Sequence, residues 1–483
     1  MIRKTVGAVF AAVLVIGSSS TLGASVSVQA PDVRPMIFVH GGLGSGQQFE
    51  AQALRFASNG YPADLIDMFE HNSLAWPGSQ DEVWGRLDQM IADTLDRTGA
   101  DQVNLLGHSQ GTGVLQGYLN SDPARAANVA QYVNLDGGSG GTVPAEVETL
   151  AIWGEGDPGR EIPGATNIQF PDQSHTEVVN SPETFAAIHE FFTGEEPEFL
   201  HVVREPADEI EVSGRVQLFP ENVGAENATL SIYAVDGETG LRLDDEAEAS
   251  FPLSGNGDWG PFAADGDTFY EFAVERETGT HHVFLQRFVR SNRWVRILTS
   301  EPGGLADSFW ELGDEHQNVV VLRNKEWWGD QGADSDVLEI NEQNVLNEAT
   351  SPRTNRTIGI FIHDFEVDGQ SDLSQPVSPF GIMFLTGIDL FLPAAEPPDG
   401  TLGVVATPRL GDGTEAVCIP NYASSVARSS IQFNSYHHLL NADGTPAEGH
   451  ANPTCGPPPD RFVPPVTPAT PARPVPAQPS FTG

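Results

Sequence analysis

Val103-Asn104-Leu105-Leu106-Gly107-His108-Ser109-Gln110-Gly111-Thr112-Gly113-Val114-Leu115 decides the fold of this chain. Residues 103–106 are an apolar run of strand length. Gly107-His108-Ser109-Gln110-Gly111 then fits the Gly-x-Ser-x-Gly nucleophile elbow, a turn so tight that side chains at its glycine positions would strike strand or helix. The small residues after it let a helix pack closely on a sheet, so the order is strand, turn, helix. The pattern alone is weak: with 50 glycines in 483 residues, about one serine in a hundred is flanked this way by chance, and context decides. Ser139, in Gly137-Gly138-Ser139-Gly140-Gly141, is a decoy, because Thr142, Val143 and Pro144 come next and no helix starts cleanly there.

Outward from the elbow, short apolar runs alternate with amphipathic stretches from Arg34 to about Thr193, the pattern of a parallel sheet covered by helices. Strands are predicted at 35–39, 63–67, 102–106, 131–135, 149–153 and 166–170. Ser79 and Glu82 are spaced as a capping box, with Val83, Leu87, Met90, Ile91 and Leu95 at helical spacing behind them. Ser181-Pro182-Glu183 predicts a second helix start, and that helix ends near Gly194. The acidic, proline-containing segment 194–206 marks the domain boundary. From about 212 to 435, alternating runs such as 229–235, 268–274, 282–288 and 319–322 are separated by Gly, Asp and Asn, which predicts an all-β sandwich or barrel in one or two parts. The expected layout is a signal peptide at 1–30, an α/β catalytic domain at 31–200, an all-β region at 207–450 and an unpacked proline-rich tail at 456–483.

The signal reading rests on Arg3 and Lys4, the apolar run 6–16 and the small residues up to Ala30. That run is too short to span a bilayer and no later stretch approaches the required length, so an exported protein with no membrane span is expected. In an oxidising compartment Cys418 and Cys455 are expected to pair. With 24 basic against 67 acidic residues the formal net charge is −43, which repels nucleic acid and excludes it as a partner. Oligomeric state has no signature in the sequence.

Phe38-Val39-His40-Gly41-Gly42-Leu43-Gly44 comes after the first strand, where a glycine-rich loop can aim a backbone N–H at the oxyanion formed when a serine attacks an ester carbonyl. The second donor is the N–H of Gln110. A general base belongs on a loop after the nucleophile, and His175, between the last strand and last helix, fits. His40 and His108 lie inside turns, His189 lies in a helix and His201 past the boundary. The pairs His281, His282 and His437, His438 have no partner spacing that suggests a metal. The acid is open between Asp157, after the strand at 149–153, and Asp136, after the strand at 131–135; both satisfy the order serine, acid, histidine.

Phe38-Val39-His40-Gly41, Gly107-His108-Ser109-Gln110-Gly111, Leu135-Asp136-Gly137 and Ser181-Pro182-Glu183-Thr184-Phe185 together resemble an archaeal and actinobacterial group of secreted α/β-hydrolase lipases with a C-terminal β lipid-binding domain. The likeness continues through Leu230-Ser231-Ile232-Tyr233, Tyr270-Glu271-Phe272 and Asp368-Gly369-Gln370-Ser371-Asp372, over nearly the whole chain. The resemblance implies an α/β-hydrolase domain followed by a β region that helps hold acyl chains. It also implies Asp136 as the acid, with Asp157 the alternative, and the N–H groups of Gly42 and Gln110 as oxyanion donors. One departure matters: lidded members insert a helical segment after the second strand, whereas only about ten residues, 71–79, separate Phe69 from the capping box. The absence of a large lid makes short or soluble esters as fitting as triglycerides.

The expected function is a secreted serine carboxylester hydrolase acting on a lipid or small ester, with no cofactor and no metal. Asp364, Glu366, Asp368, Gly369 and Asp372 fall near calcium-loop spacing and are read as a solvated turn. The rival readings are a polyester hydrolase or peptidase with the same triad, and a non-catalytic secreted binding protein.

Overall fold

A computed structural model describes residues 33–460 except 140, 302, 305–307, 309, 378–382, 395–397, 410–412, 437 and 450. The expected signal segment 1–30 lies outside the described residues. Six strands, β1 (Met36–Val39), β2 (Ile66–Phe69), β3 (Val103–His108), β4 (Val129–Leu135), β5 (Glu148–Trp153) and β6 (Thr166–Gln169), form one parallel sheet in the order 2-1-3-4-5-6. Connecting them are helices α1 (Glu50–Ser58), α2 (Gln80–Thr98), α3 (Gln110–Ser121) and the short α4 (Pro123–Ala126); α5 (Glu177–Asn180) and α6 (Pro182–Thr193) come after the last strand. Alternation along β1 assigns the two faces. Ile37 and Val39 join a core with Val83, Leu87 and Ile91 of α2 and Val114, Leu115 and Leu119 of α3, while Phe38 meets Phe49 ahead of α1 at 5.2 Å. Because β1 pairs with β2 on one side and β3 on the other, strand order reverses between β1 and β3. Such a switch point opens a crevice at the strands' carboxyl ends, and here both glycine-rich turns leave the sheet at that point.

Three expectations shift. The second strand begins at Ile66 rather than 63, because Pro62 opens a 3-10 turn closed by Leu65 N–H to Pro62 O at 3.0 Å. Ser79 does precede α2, but its backbone is not extended (φ −96°, ψ 17°) and its hydroxyl caps nothing, so the capping box does not form. Of the tail expected at 456–483, residues 461–483 lie outside the described residues, and the described start is packed: Pro459 is buried and Thr401 N–H donates to Pro457 O at 2.8 Å. The disulfide Cys418–Cys455, Cα–Cα 5.4 Å, anchors that segment to the strand Glu415–Pro420. The helix at α6 starts as expected, Ser181 Oγ accepting from Thr184 N–H at 3.1 Å, and ends on Gly194 in the left-handed region.

Beyond Thr193 the chain is mostly β. Eight strands form a mixed sheet in the order Ala249–Pro252, Thr229–Val235, Phe269–Arg276, Gly279–Leu285, Ala427–Phe433, Val319–Arg323, Gly359–His363, Leu385–Asp389. One half of it shares a core with the sheet of Ile210–Leu218, Asp258–Ala264 and Asn292–Thr299. The other half shares a core with the sheet of Val337–Ile340, Thr401–Thr407 and Glu415–Pro420. This β region and the helical part belong to one unit from Arg34 onward. Ion pairs cross between them, including the buried pair of Arg296 with Glu70 at 2.7 Å and the partly buried pair of Arg409 with Glu177 at 2.8 Å. Among the described residues, no helix is long and apolar enough to cross a membrane.

Candidate active site

At the end of β3 the chain turns sharply through Ser109, whose φ of 50° and ψ of −119° lie where a residue with a Cβ is strained. Its neighbours explain the glycines. A Cβ on Gly107 would sit 2.9 Å from the Gly111 backbone, and one on Gly111 would sit 2.2 Å from the Val39 carbonyl oxygen. Helix α3 therefore starts directly against β1, with the Gln110 N–H among the unpaired donors of its first turn.

The loop after β1 presses on this elbow. A Cβ on Gly41 would lie 2.9 Å from the Ser109 Cβ and 3.0 Å from the His108 Nδ1. Gly41 N–H donates to Gln48 Oε1 at 3.1 Å and Leu43 N–H to Ser73 Oγ at 2.9 Å. Between them the Gly42 N–H has no partner among the described residues. From the β region, Asn222 Nδ2 donates to Gly44 O at 2.6 Å. Behind the loop, Glu70 accepts the Gly46 N–H at 3.1 Å and the Arg296 guanidinium at 2.7 Å.

Next to the elbow, Ser109 N–H donates to Leu135 O at 2.9 Å, which sets Asp136 at the neighbouring strand end. Asp136 Oδ2 meets His175 Nδ1 at 2.5 Å. Its Oδ1 accepts Gly154 N–H at 2.9 Å and faces Arg160 Nη2 at 2.9 Å. Burial alone would raise this carboxyl, but the His175 bond and charge, with Arg160 and the Gly154 N–H, outweigh it and hold it at about 2. A carboxylate on Nδ1 fixes the tautomer that leaves Nε2 as proton acceptor. His108, just before Ser109, donates from Nε2 to the His175 carbonyl at 2.9 Å, and their rings lie 4.7 Å apart. Burial, then the charge His175 takes on protonation, holds His108 well below its ordinary range, so it stays neutral. Ser109 and Asp136 thus follow the adjacent central strands β3 and β4 at their carboxyl ends, with His175 bonded to Asp136.

The other residues singled out lie elsewhere. Asp157 is exposed in a turn, accepting Gly159 N–H at 2.8 Å. Ser139 is exposed, and past it the chain enters the three-residue turn at Pro144–Glu146 with Ala145 at positive φ, rather than a helix. His189 packs on Phe56, His282 on Tyr422 and Glu271, and His281 joins Thr299 and Ser430. Asp364 accepts the Gly369 N–H within its own turn. Sequence reasoning missed Arg160, Asn222, Arg296 and Glu326, the last of which binds both neighbours of His175. None of these carries a motif, and their partners lie up to 226 positions away.

A cleft with about 910 Å³ of empty space, part of it open to solvent, runs from this loop into the β region. Leu43, Gly44, Ser45 and Gln47 line it from the loop, and Phe219, Leu298, Trp310 and Leu385 are among its apolar walls. Phe384, beside Leu385, stacks 6.1 Å from the His175 ring. The segment 70–79 between β2 and α2 holds turns and no helix.

Residues 208–302 match the Lipase C-terminal domain family, and residues 306–437 match a second family of C-terminal domains. No curated protein matches the chain. Among solved structures, a gene product of Listeria innocua is 16% identical and covers 34% of this chain and 96% of its own, at a TM-score of 0.27. Lipase B of Aspergillus fumigatus is 13% identical over 35% of this chain and 54% of its own, at 0.26. A Bacillus licheniformis lipase in its propeptide form is 11% identical over 87% of this chain and 98% of its own, at 0.28. The strand order, the elbow after β3 and the mostly β remainder make the architecture that of an α/β hydrolase with a C-terminal β region.

Proposed function

We propose that this protein is a secreted serine carboxylester hydrolase of the lipase and esterase type. In the reaction, Ser109 Oγ attacks the ester carbonyl carbon while His175 Nε2 takes its proton. Asp136 holds the imidazole and stabilises its charged form. The N–H groups of Gly42 and Gln110 receive the oxyanion, the latter aided by the positive end of α3. Collapse expels the alcohol, which leaves with the proton from His175. A water then repeats the sequence on the acyl-enzyme and frees the acid and Ser109. The chemistry uses no cofactor or metal.

One observation carries the reading: the 2.5 Å contact of His175 Nδ1 with Asp136, at the strand next to the strained Ser109 turn, against which Gly41 is pressed. The apolar cleft that Leu43 helps line supports an acyl chain as the group held, and the turns at 70–79 support a site without a large helical lid. Export is supported by the residues at 1–30 together with the disulfide. A fluorophosphonate probe tests the function. The protein should be labelled at Ser109 and lose about 10⁶ in turnover as Ser109→Ala. Absence of labelling in the folded protein would leave a binding role instead.

A further inference from the structure

Among the groups that hold the loop carrying His175 is one distant side chain of the β region. Glu326, fully buried just past the strand Val319–Arg323, accepts the Ser174 hydroxyl on Oε2 and the Thr176 N–H on Oε1, the latter at 2.7 Å. Its two oxygens therefore take the residues on either side of the imidazole. The same segment adds two contacts. Asn324 O accepts Asn180 Nδ2 at 2.9 Å, and Lys325 Nζ pairs with Glu177 at 2.8 Å. Burying an acidic side chain is costly even with the Arg409 guanidinium nearby, and an apolar side chain of equal volume would be easier to enclose. What this side chain supplies is geometry: Asp136 holds Nδ1, the ring nitrogen next to Cγ, but the ring pivots on a segment that Glu326 holds at the Thr176 N–H and at the Ser174 hydroxyl.

We infer that Glu326, although it belongs to the β region, is a positioning residue for His175. It touches no reacting atom. By holding the Thr176 N–H on one side of the imidazole and the Ser174 hydroxyl on the other it keeps Nε2 aligned with the Ser109 hydroxyl, so the catalytic geometry depends on the β region as well as on the sheet. The inference rests on the assignment of Ser109, His175 and Asp136 as the triad. Misplacing a catalytic group by about 1 Å can cost on the order of 100-fold.

The test uses the full chain and an aryl ester. Glu326→Ala removes both bonds; kcat should fall about 10- to 100-fold with KM within about twofold, and fluorophosphonate labelling of Ser109 should slow by a similar factor. Glu326→Gln should return kcat to within about threefold of the parent, because its amide oxygen still accepts from Thr176 and its NH₂ donates to a Ser174 hydroxyl free to rotate. Ser174→Ala, which breaks one bond and leaves the other, should lose about three- to tenfold, and it stands in if Glu326→Ala does not fold. A folded Glu326→Ala, or in its place Ser174→Ala, with parental kcat overturns the inference, as does a Glu326→Gln no better than the alanine variant. Ser109→Ala and His175→Ala separate the two levels: if either keeps parental turnover the triad itself fails, whereas if both are inactive only the role of Glu326 is at stake.

Discussion

Replacing Asp136 by asparagine changes one oxygen to NH₂, and the surroundings dictate which. Gly154 N–H and Arg160 Nη2 both face Oδ1 at 2.9 Å, so the amide oxygen must stay there. Turning it round would set N–H against N–H beside a guanidinium, a cost of about 1–3 kcal/mol for the stranded donor alone. The NH₂ therefore falls on the Oδ2 position, where His175 Nδ1 now stands at 2.5 Å. Nδ1 must then present its lone pair, the ring proton moves to Nε2, and the base can no longer accept from Ser109. The expected loss is about 10⁴ in kcat, equivalent to about 5 kcal/mol of barrier. Asp157→Asn alters an exposed turn and should stay within about twofold. Steady-state kcat on a short aryl ester at mildly alkaline pH measures both. A larger loss at Asp157, or less than a tenfold loss at Asp136, refutes the reasoning.

Gly111→Ala would drive a methyl to 2.2 Å from the Val39 carbonyl oxygen, so α3 and β1 must part; denaturant melts should show a loss of about 1–3 kcal/mol, and an unchanged midpoint would contradict that contact. Asp136, Glu177 and Asp336 are each held at about 2, below ordinary values of 3.8, 4.5 and 3.8. Depressed carboxyls contribute stability that is complete above their unfolded values and disappears as pH falls through the folded ones. Melting temperature should therefore drop steeply from about pH 4.5 to 2, with Asp136 accounting for about 2 kcal/mol; a flat profile across that window would be inconsistent. Leu298→Trp fills the cleft wall, so kcat/KM for long acyl esters should fall about tenfold while acetate esters hold, and equal losses on both would remove the cleft as the acyl site.

The legible part of the sequence is the part that steric crowding writes into it. The elbow and the loop after β1 approach so closely that Gly41, Gly107 and Gly111 have no room for a side chain, and glycines at fixed spacing survive as a motif. The two candidate acids are equivalent in the sequence for an equally physical reason. Asp136 and Asp157 come after adjacent parallel strands in the same chain order, and what separates them is the Gly154 N–H and the path of the His175 loop, which exist only after folding. The Ser79 and Glu82 pair had the right spacing, yet capping needs an extended backbone at the serine, which the preceding turn denies. Charged partners such as Arg296 for Glu70 left no trace at all, since nothing in a buried arginine's neighbours names a carboxylate two hundred positions away.

The strand Ala427–Phe433 lies between Gly279–Leu285 and Val319–Arg323, parallel to both, and so joins the two halves of the eight-stranded sheet. The family matches at 208–302 and 306–437 divide on either side of residue 304, yet the seam between the halves is closed by a segment that leaves the ribosome more than a hundred residues later. Until that piece emerges, the nascent chain carries two raw strand edges open to self-association. Cutting this protein at the apparent junction would yield fragments that each lack a neighbour and expose an unpaired strand edge.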